Sequence, residues 1–396
     1  MMRKVYLDHA ATTPLLSEVR EAMLPFLGEV FGNPSCLHEW GEGPRTAVEE
    51  AREQVVRLVG AAKPEEIIFT GNGSESNNLA VKGLALAAQS KGKHIVVSAI
   101  EHFSVLHSGQ TLEKWGFEVT EVPVDKYGMV NPEDVRKALR KDTVLVSVMH
   151  ANGEVGTLQP IKEIAKITKE NNVLFHTDAV ASTGNIPVNV QDLGVDALSL
   201  AANQFYGPKG IGALWLRKGV RIIPLIDGGI QEGGRRAGTE NVPAIVGMGK
   251  AAELAAAGMN ERIKHLTVLR DRLIKELPEK IDHVVVTGHP ASRLPGHTSF
   301  CVEFIEGEGM LMLLNAKGIG VSSGSACTSR ALKASHVLIA MGYNHEIAQG
   351  SLLMSFGIGN TGEDVDYVLT EMPPIVNRLR QMSPVYAKFI KAQGVK

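Results

Sequence analysis

Cysteine, excess charge and long apolar runs are all scarce in this sequence. Three cysteines, Cys36, Cys301 and Cys327, are spread over 396 residues. An odd number so far apart argues against a disulfide framework and for a reducing, cytoplasmic setting. The formal net charge is −2, and no long Lys/Arg run stands out, so no basic field speaks for nucleic acid. No apolar stretch approaches the roughly 20 residues that cross a bilayer. The N-terminal MMRKVYLDHAATTP lacks the apolar centre of a secretory signal. The expectation is a cytoplasmic protein without a membrane or nucleic-acid partner.

What is present is ordinary globular material, 44% hydrophobic and 21% charged, in a chain long enough for two domains. Short β-branched runs (EIIFTG, KHIVVSAI, FEVTEVPV, TVLVSVMHA, NVLFHTDAV, DALSLAA, IGALWLR) alternate with helical patterns such as SESNNLAVKGLALAAQS and PIKEIAKITKENN. Such alternation predicts an α/β fold with a largely parallel sheet covered on both faces. Ligands then bind at the carboxyl ends of the strands. Near residue 245 the pattern changes. One long helix is expected over roughly 243–278, followed by HVVVTG, HTSFCVEF, a helix near GEGMLMLLNAKG, and GSLLMSFGIGN, a mix that suggests a smaller α+β domain. The last dozen residues read as a polar tail.

Nine segments in order carry a more specific signal: YLDHAATTP, FGNPSCLHEWG, FTGNGSESNNLAVKG, IEHFSVL, MHANGEVGTLQPI, HTDAVASTG, FYGPKGIGALW, AGTENVPAIVG and VSSGSACTSRALKASHVLIAMG. Together they resemble the cysteine desulfurases of the NifS/IscS group, fold-type-I enzymes that use pyridoxal 5′-phosphate (PLP). The resemblance implies a large domain, residues 15–255, with a mostly parallel seven-stranded sheet, and a smaller α+β domain from residues 1–14 and 256–396. It also implies a homodimer with active sites at the subunit interface, and an IscU-type iron–sulfur scaffold as partner.

The resemblance assigns parts that chemistry can check. Asp178, ending a strand, matches the carboxylate that keeps the PLP ring nitrogen protonated, although Asp there also suits a helix cap. His102 matches the histidine that stacks on the ring; a lone histidine is otherwise most often structural. Gly73 and Ser74, in a glycine-rich turn entering a helix, match the phosphate cradle, with Thr239 lent by the neighbouring subunit. Asn152 and Ser199 fall at further cofactor-contact positions.

The sequence departs from the family at the lysine that bonds the cofactor aldehyde. The family reads Ser-x-Ser-x-His-Lys; here Ser199, Leu200, Ala201, Ala202, Asn203 and Gln204 stand in that run. A glutamine amide cannot form an imine or shuttle a proton as a lysine does. Lys209, five residues on in the Gly-Pro turn, is displaced beyond catalytic tolerance. Ala181 replaces the glutamine near the PLP phenolic oxygen, and Gly153 the second asparagine of Asn-Asn-Glu. Leu353 replaces the arginine that grips the substrate carboxylate, a loss of every donor of the fork.

Cys327 survives in SSGSACTSR, among small residues that do not make a core, which favours a sulfur-carrying cysteine over a structural one. Cys301 alternates like a buried strand residue, and Cys36 sits where the family often has serine. The leading expectation is a desulfurase-like protein of iron–sulfur assembly that has left ordinary PLP chemistry. In it, Cys327 relays sulfur or ligates a shared [2Fe–2S] cluster. The alternative is an active desulfurase with non-covalent PLP. A purely regulatory pseudoenzyme dimer ranks last.

Overall fold

The computed structural model describes residues 3–324 and 334–393. Cys327 lies outside the described residues. After a two-residue strand β1 (Val5–Tyr6) come β2 (Ile67–Thr70), β3 (His94–Ser98), β4 (Glu118–Val122), β5 (Thr143–Ser147), β6 (Leu174–Asp178), β7 (Ala197–Ala201) and β8 (Gly212–Leu216). Strands β2 to β8 correspond one for one to the seven runs read from the sequence. They form one seven-stranded sheet in the order β2-β8-β7-β6-β5-β3-β4. Only β8 runs against its neighbours β7 and β2; the other pairings are parallel.

Alternation along the strands covers both faces, as a parallel sheet requires. Phe69, Val96, Val146, Phe175, Leu198 and Trp215 meet residues of the helices Glu39–Val59 and Val242–Ala257 on one face. Ile68, Ile95, Val97, Leu145 and Leu214 meet the helices Gly73–Ala88 and Phe103–Lys114 on the other. Strands β9 (Val284–Val286), β10 (His297–Val302) and β12 (Ser351–Ser355) form a separate antiparallel sheet, and β11 (Ile319–Gly320) pairs with β1. This sheet shares a core with the helices Met259–Lys280, Gly307–Ala316 and Gly362–Met382.

Two sequence expectations need correction. The helix expected over 243–278 is two helices, Val242–Ala257 and Met259–Lys280, broken at Gly258. Arg262 Nη2 donates to Ala255 O at the open end of the first helix (2.6 Å), satisfying a carbonyl that a continuous helix would have bonded internally. The polar tail is in fact largely a helix, Pro384–Ala392, capped by Ser383. Its Phe389 stacks on Phe304, ring centroids 4.5 Å apart, so an aromatic contact orders a segment whose lysines suggested solvent.

A small apolar cluster of Ile100, Met149, Val155, Cys301, Val337 and Leu338 joins the large sheet to β10, and two carboxyls are sealed near it. Glu101 accepts from Ser98 Oγ and Met149 N–H, and burial pushes it up to about 8. Glu154 Oε2 accepts from Ser335 Oγ (2.8 Å), its Oε1 has no partner among the described residues, and burial pushes it up to about 7. An acid kept neutral in the fold but ionised in the unfolded chain stabilises fully below its unfolded value, and that stability is lost as pH rises toward the folded value. Glu154→Gln, which keeps the acceptor, should therefore match the parent near pH 4. It should exceed the parent above pH 7 by up to about 3 kcal/mol. Thermal melts across pH 4 to 8 check this; parallel curves would contradict it.

Candidate functional site

The end of β6 and the starts of two helices bring four of the nine sequence-assigned residues together: Asp178, His102, Gly73 and Ser74. Asp178 ends β6, buried. Its Oδ1 accepts from Val180 N–H (2.9 Å) and its Oδ2 from Asn77 Nδ2 (2.6 Å). No cation pairs with it among the described ion pairs, and burial pushes its carboxyl up despite these donors. Asn77 Nδ2 also donates to Ser104 Oγ (2.9 Å), and Ser104 Oγ lies 2.7 Å from His102 Nδ1. His102 caps the helix Phe103–Lys114, accepting from Ser104 N–H at Nδ1, which leaves the other ring nitrogen to carry the proton when the ring is neutral. Its ring is exposed. A chain Asp178–Asn77–Ser104–His102 thus links the acid to the exposed imidazole. The sequence reading did not single out Asn77 or Ser104; both stand inside the quoted motifs, but nothing in their spacing shows that they meet.

The helix Gly73–Ala88 begins beside Asp178. Asn72 caps it through Glu75 N–H. A Cβ on Gly73 would stand 2.7 Å from Val180 and 3.4 Å from Ala201, so the helix start needs glycine to approach the ends of β6 and β7 closely. Ser74 is exposed at that N-terminus. The donor set suits an anion at the helix start, and the unpaired Asp178 suits a protonated ring nitrogen. On these grounds the residues fit PLP held without a bond to residue 204.

Other assigned residues point elsewhere. Ser199 is fully buried, its Oγ 2.9 Å from His176 Nε2, and His176 Nδ1 lies 2.8 Å from Ser147 Oγ. Asn152 holds its own turn: its amide donates to Ile100 O and its oxygen accepts from Glu154 and Val155 N–H. Thr239 is exposed on the segment between Gly234 and Val242. Gln204 closes the short turn after β7, and its Nε2 donates to Ala10 O (2.9 Å). It lines a cavity of about 20 Å³ with His9, Thr13, Asn185 and His297, the size of a single water. Lys209 is exposed in the following turn.

Among the family departures, Gly153 and Ala181 are neighbours: a Cβ at 153 would lie 3.8 Å from that of Ala181. Leu353 is buried on β12 opposite Ser299. Cys36 and Cys301 are free thiols, and Cys301 is pushed up to about 12 by burial, which suits core and not sulfur chemistry. No group of metal-ligating side chains occurs among the described residues, nor does any helix there have the length and apolarity to cross a membrane.

Comparison with known proteins agrees with this fold. The family model for aminotransferase class-V matches residues 5–368. The chain is 54% identical over 384 residues to a protein named cysteine desulfurase IscS from Dictyoglomus turgidum, covering 97% of each chain. It is 54% identical over 386 residues to one of the same name from Methanosarcina thermophila, covering 98% of this chain and 95% of the other. A solved NifS-like protein superposes with a TM-score of 0.89 at 39% identity, over 95% of this chain and all of that one. The chain belongs to the aminotransferase class-V family.

Proposed function

We propose that this protein is a cysteine desulfurase that holds PLP non-covalently and passes sulfur to Cys327. The observation that carries the reading is the buried Asp178 at the end of β6, braced by Asn77 and Val180 and in none of the described ion pairs. An unpaired buried carboxylate is costly to keep, and a protonated pyridine nitrogen would supply the missing charge. This reverses the order of the two readings expected from the sequence. Relatives half identical over nearly the whole chain carry the desulfurase name, which supports the active reading over a pseudoenzyme.

When bound, PLP supplies an electron sink for bonds broken at the substrate carbons. The chain's residues do the rest. Asp178 would hold the ring nitrogen proton, and His102, exposed at its helix cap, would contact the ring. Gly73, Ser74 and the helix start, with Thr239 of a second copy, would hold the phosphate. The Cβ–S bond of L-cysteine breaks, its sulfur joins the Cys327 thiol as a persulfide, and the carbon skeleton leaves as alanine, so atoms balance. With no amine at 204 and no guanidinium at 353, the rate should be low. A homodimer and an IscU-type scaffold that accepts the persulfide sulfur, in the cytoplasm, complete the proposal.

The second reading is a sulfur relay without PLP chemistry, with Cys327 also able to ligate a shared [2Fe–2S] cluster. The observation favouring it is Gln204, whose amide is bonded to Ala10 O.

Protein purified with PLP should show a visible band that is lost on desalting, with no mass gain after borohydride. It should make alanine from cysteine when PLP is restored. Asp178→Ala should weaken PLP binding about tenfold or more, and Cys327→Ser should stop persulfide formation. Absence of PLP binding, with Cys327→Ser alone deleterious to cluster assembly, would select the relay.

Gln204→Lys is the complementary gain-of-function test. It should create a borohydride-fixed adduct on the peptide containing residue 204 and raise alanine formation by about 10²-fold. Mass spectrometry and alanine assay check this. An adduct at Lys209 in the parent protein would show that the turn lysine already serves.

A further inference from the structure

The segment that carries Thr239 is held by a device that the motif itself does not reveal. Glu232, Gly233 and Gly234 have φ values of +50°, +65° and +75°, three consecutive left-handed residues of which one is not glycine. Such a conformation persists only where its surroundings fix it. Glu232 is the fixing point. Its side chain is 3% exposed. Its oxygens accept from Arg52 Nη1 (2.8 Å) and Nη2 (2.9 Å) and from Phe69 N–H (2.9 Å). Arg52 lies over the Phe69 ring, 4.7 Å from its centroid, and also donates to Ile67 O. The carboxylate thus ties the segment to β2 and to the helix Glu39–Val59 at once.

From that anchor the chain reaches the start of the helix Gly73–Ala88. Arg235 Nη1 donates to Glu65 O (2.8 Å). Arg236 Nε donates to Glu75 Oε1 (2.9 Å), whose other oxygen accepts from Gly71 N–H (2.6 Å). Gly238 N–H donates to Gln231 Oε1 (3.1 Å) and closes the loop on itself. Thr239 follows directly, exposed.

We infer that Glu232 is a positioning residue for phosphate binding. Paired with Arg52, it fixes residues 231–238 so that Thr239 is presented in one orientation to the phosphate of PLP held by a second copy of the chain. The inference rests on the cofactor reading given under Proposed function. Glu232 touches no ligand; it acts through the backbone of residues 232–238. A misplaced Thr239 would cost the phosphate contact and leave the ring contacts at Asp178 and His102 intact.

The test compares equilibrium binding of PLP with that of pyridoxal, which has the same ring and aldehyde but no phosphate. Two variants are needed, because Glu232→Gln leaves Arg52 without its buried partner and could unfold the chain. Gly234→Ala leaves the ion pair in place. A Cβ there meets nothing within 4 Å, so only the left-handed backbone is strained. The parent should bind PLP more tightly than pyridoxal. Both variants should narrow that preference by about tenfold through weaker PLP binding, with pyridoxal affinity unchanged, as should Thr239→Ala. An unchanged preference in folded Gly234→Ala would overturn the inference while the cofactor reading stands. Failure of the parent to bind PLP, or equal affinity for the two, would overturn the cofactor reading, and the inference with it.

Discussion

A carboxylate sealed inside a sheet must find a proton, a cation or a full set of donors. Asp178 has two donors, Val180 N–H and Asn77 Nδ2, and no ion-pair partner among the described residues. Much of the surrounding architecture follows from holding it there. The helix Gly73–Ala88 places Asn77 only because Gly73 lets its first turn approach Val180 and Ala201. The helix Phe103–Lys114 brings Ser104 to the same amide and sets His102 at its own cap. One acid thus fixes the relation of two helix starts to the end of β6, where parallel sheets place their ligands.

The fold was legible where its physics is local. Six of the seven strands are buried and show as apolar runs because both faces of a parallel sheet are covered, while the edge strand β4 is largely exposed, and their alternation with helices gave the α/β class. The helix Glu39–Val59 escaped notice because Gly41, Gly43 and Pro44 interrupt its first turns, and Gly362–Met382 because Pro373 and Pro374 lie inside it. The break at Gly258 was hidden because apolar periodicity runs through it. Packing reveals the C-terminal helix: Phe389 has meaning only beside Phe304.

The site divides in the same way. Asp178, His102 and Gln204 stand in motifs and could be named from sequence. Asn152 and Ser199 could also be named, yet their side chains are engaged within the turn and the sheet. That is a matter of partner choice, which a sequence position does not encode. The Asn77–Ser104 link joins two helices 27 residues apart, and Glu232 adopts a backbone conformation that its residue type disfavours. Neither leaves a pattern along the chain, because each depends on tertiary contacts overriding local preference.

The positions that the sequence reading took as departures from the family are spatially sorted, and that sorting bears on the proposed chemistry. Contacts for a ring nitrogen and for an anion at a helix start are present, whereas the amine at 204, the amides at 153 and 181 and the guanidinium at 353 are absent. Gly153 and Ala181 face each other across one space, so their side chains are missing from the same wall. The fold also keeps Glu101 and Glu154 buried, with burial raising both, so what sets Asp178 apart is its place at the end of β6 beside the two helix starts that brace it. The arrangement is the one the proposed function needs: a buried acid and a helix start that can take a protonated aromatic ring and an anion by charge and hydrogen bonds, with an amide and not an amine at residue 204.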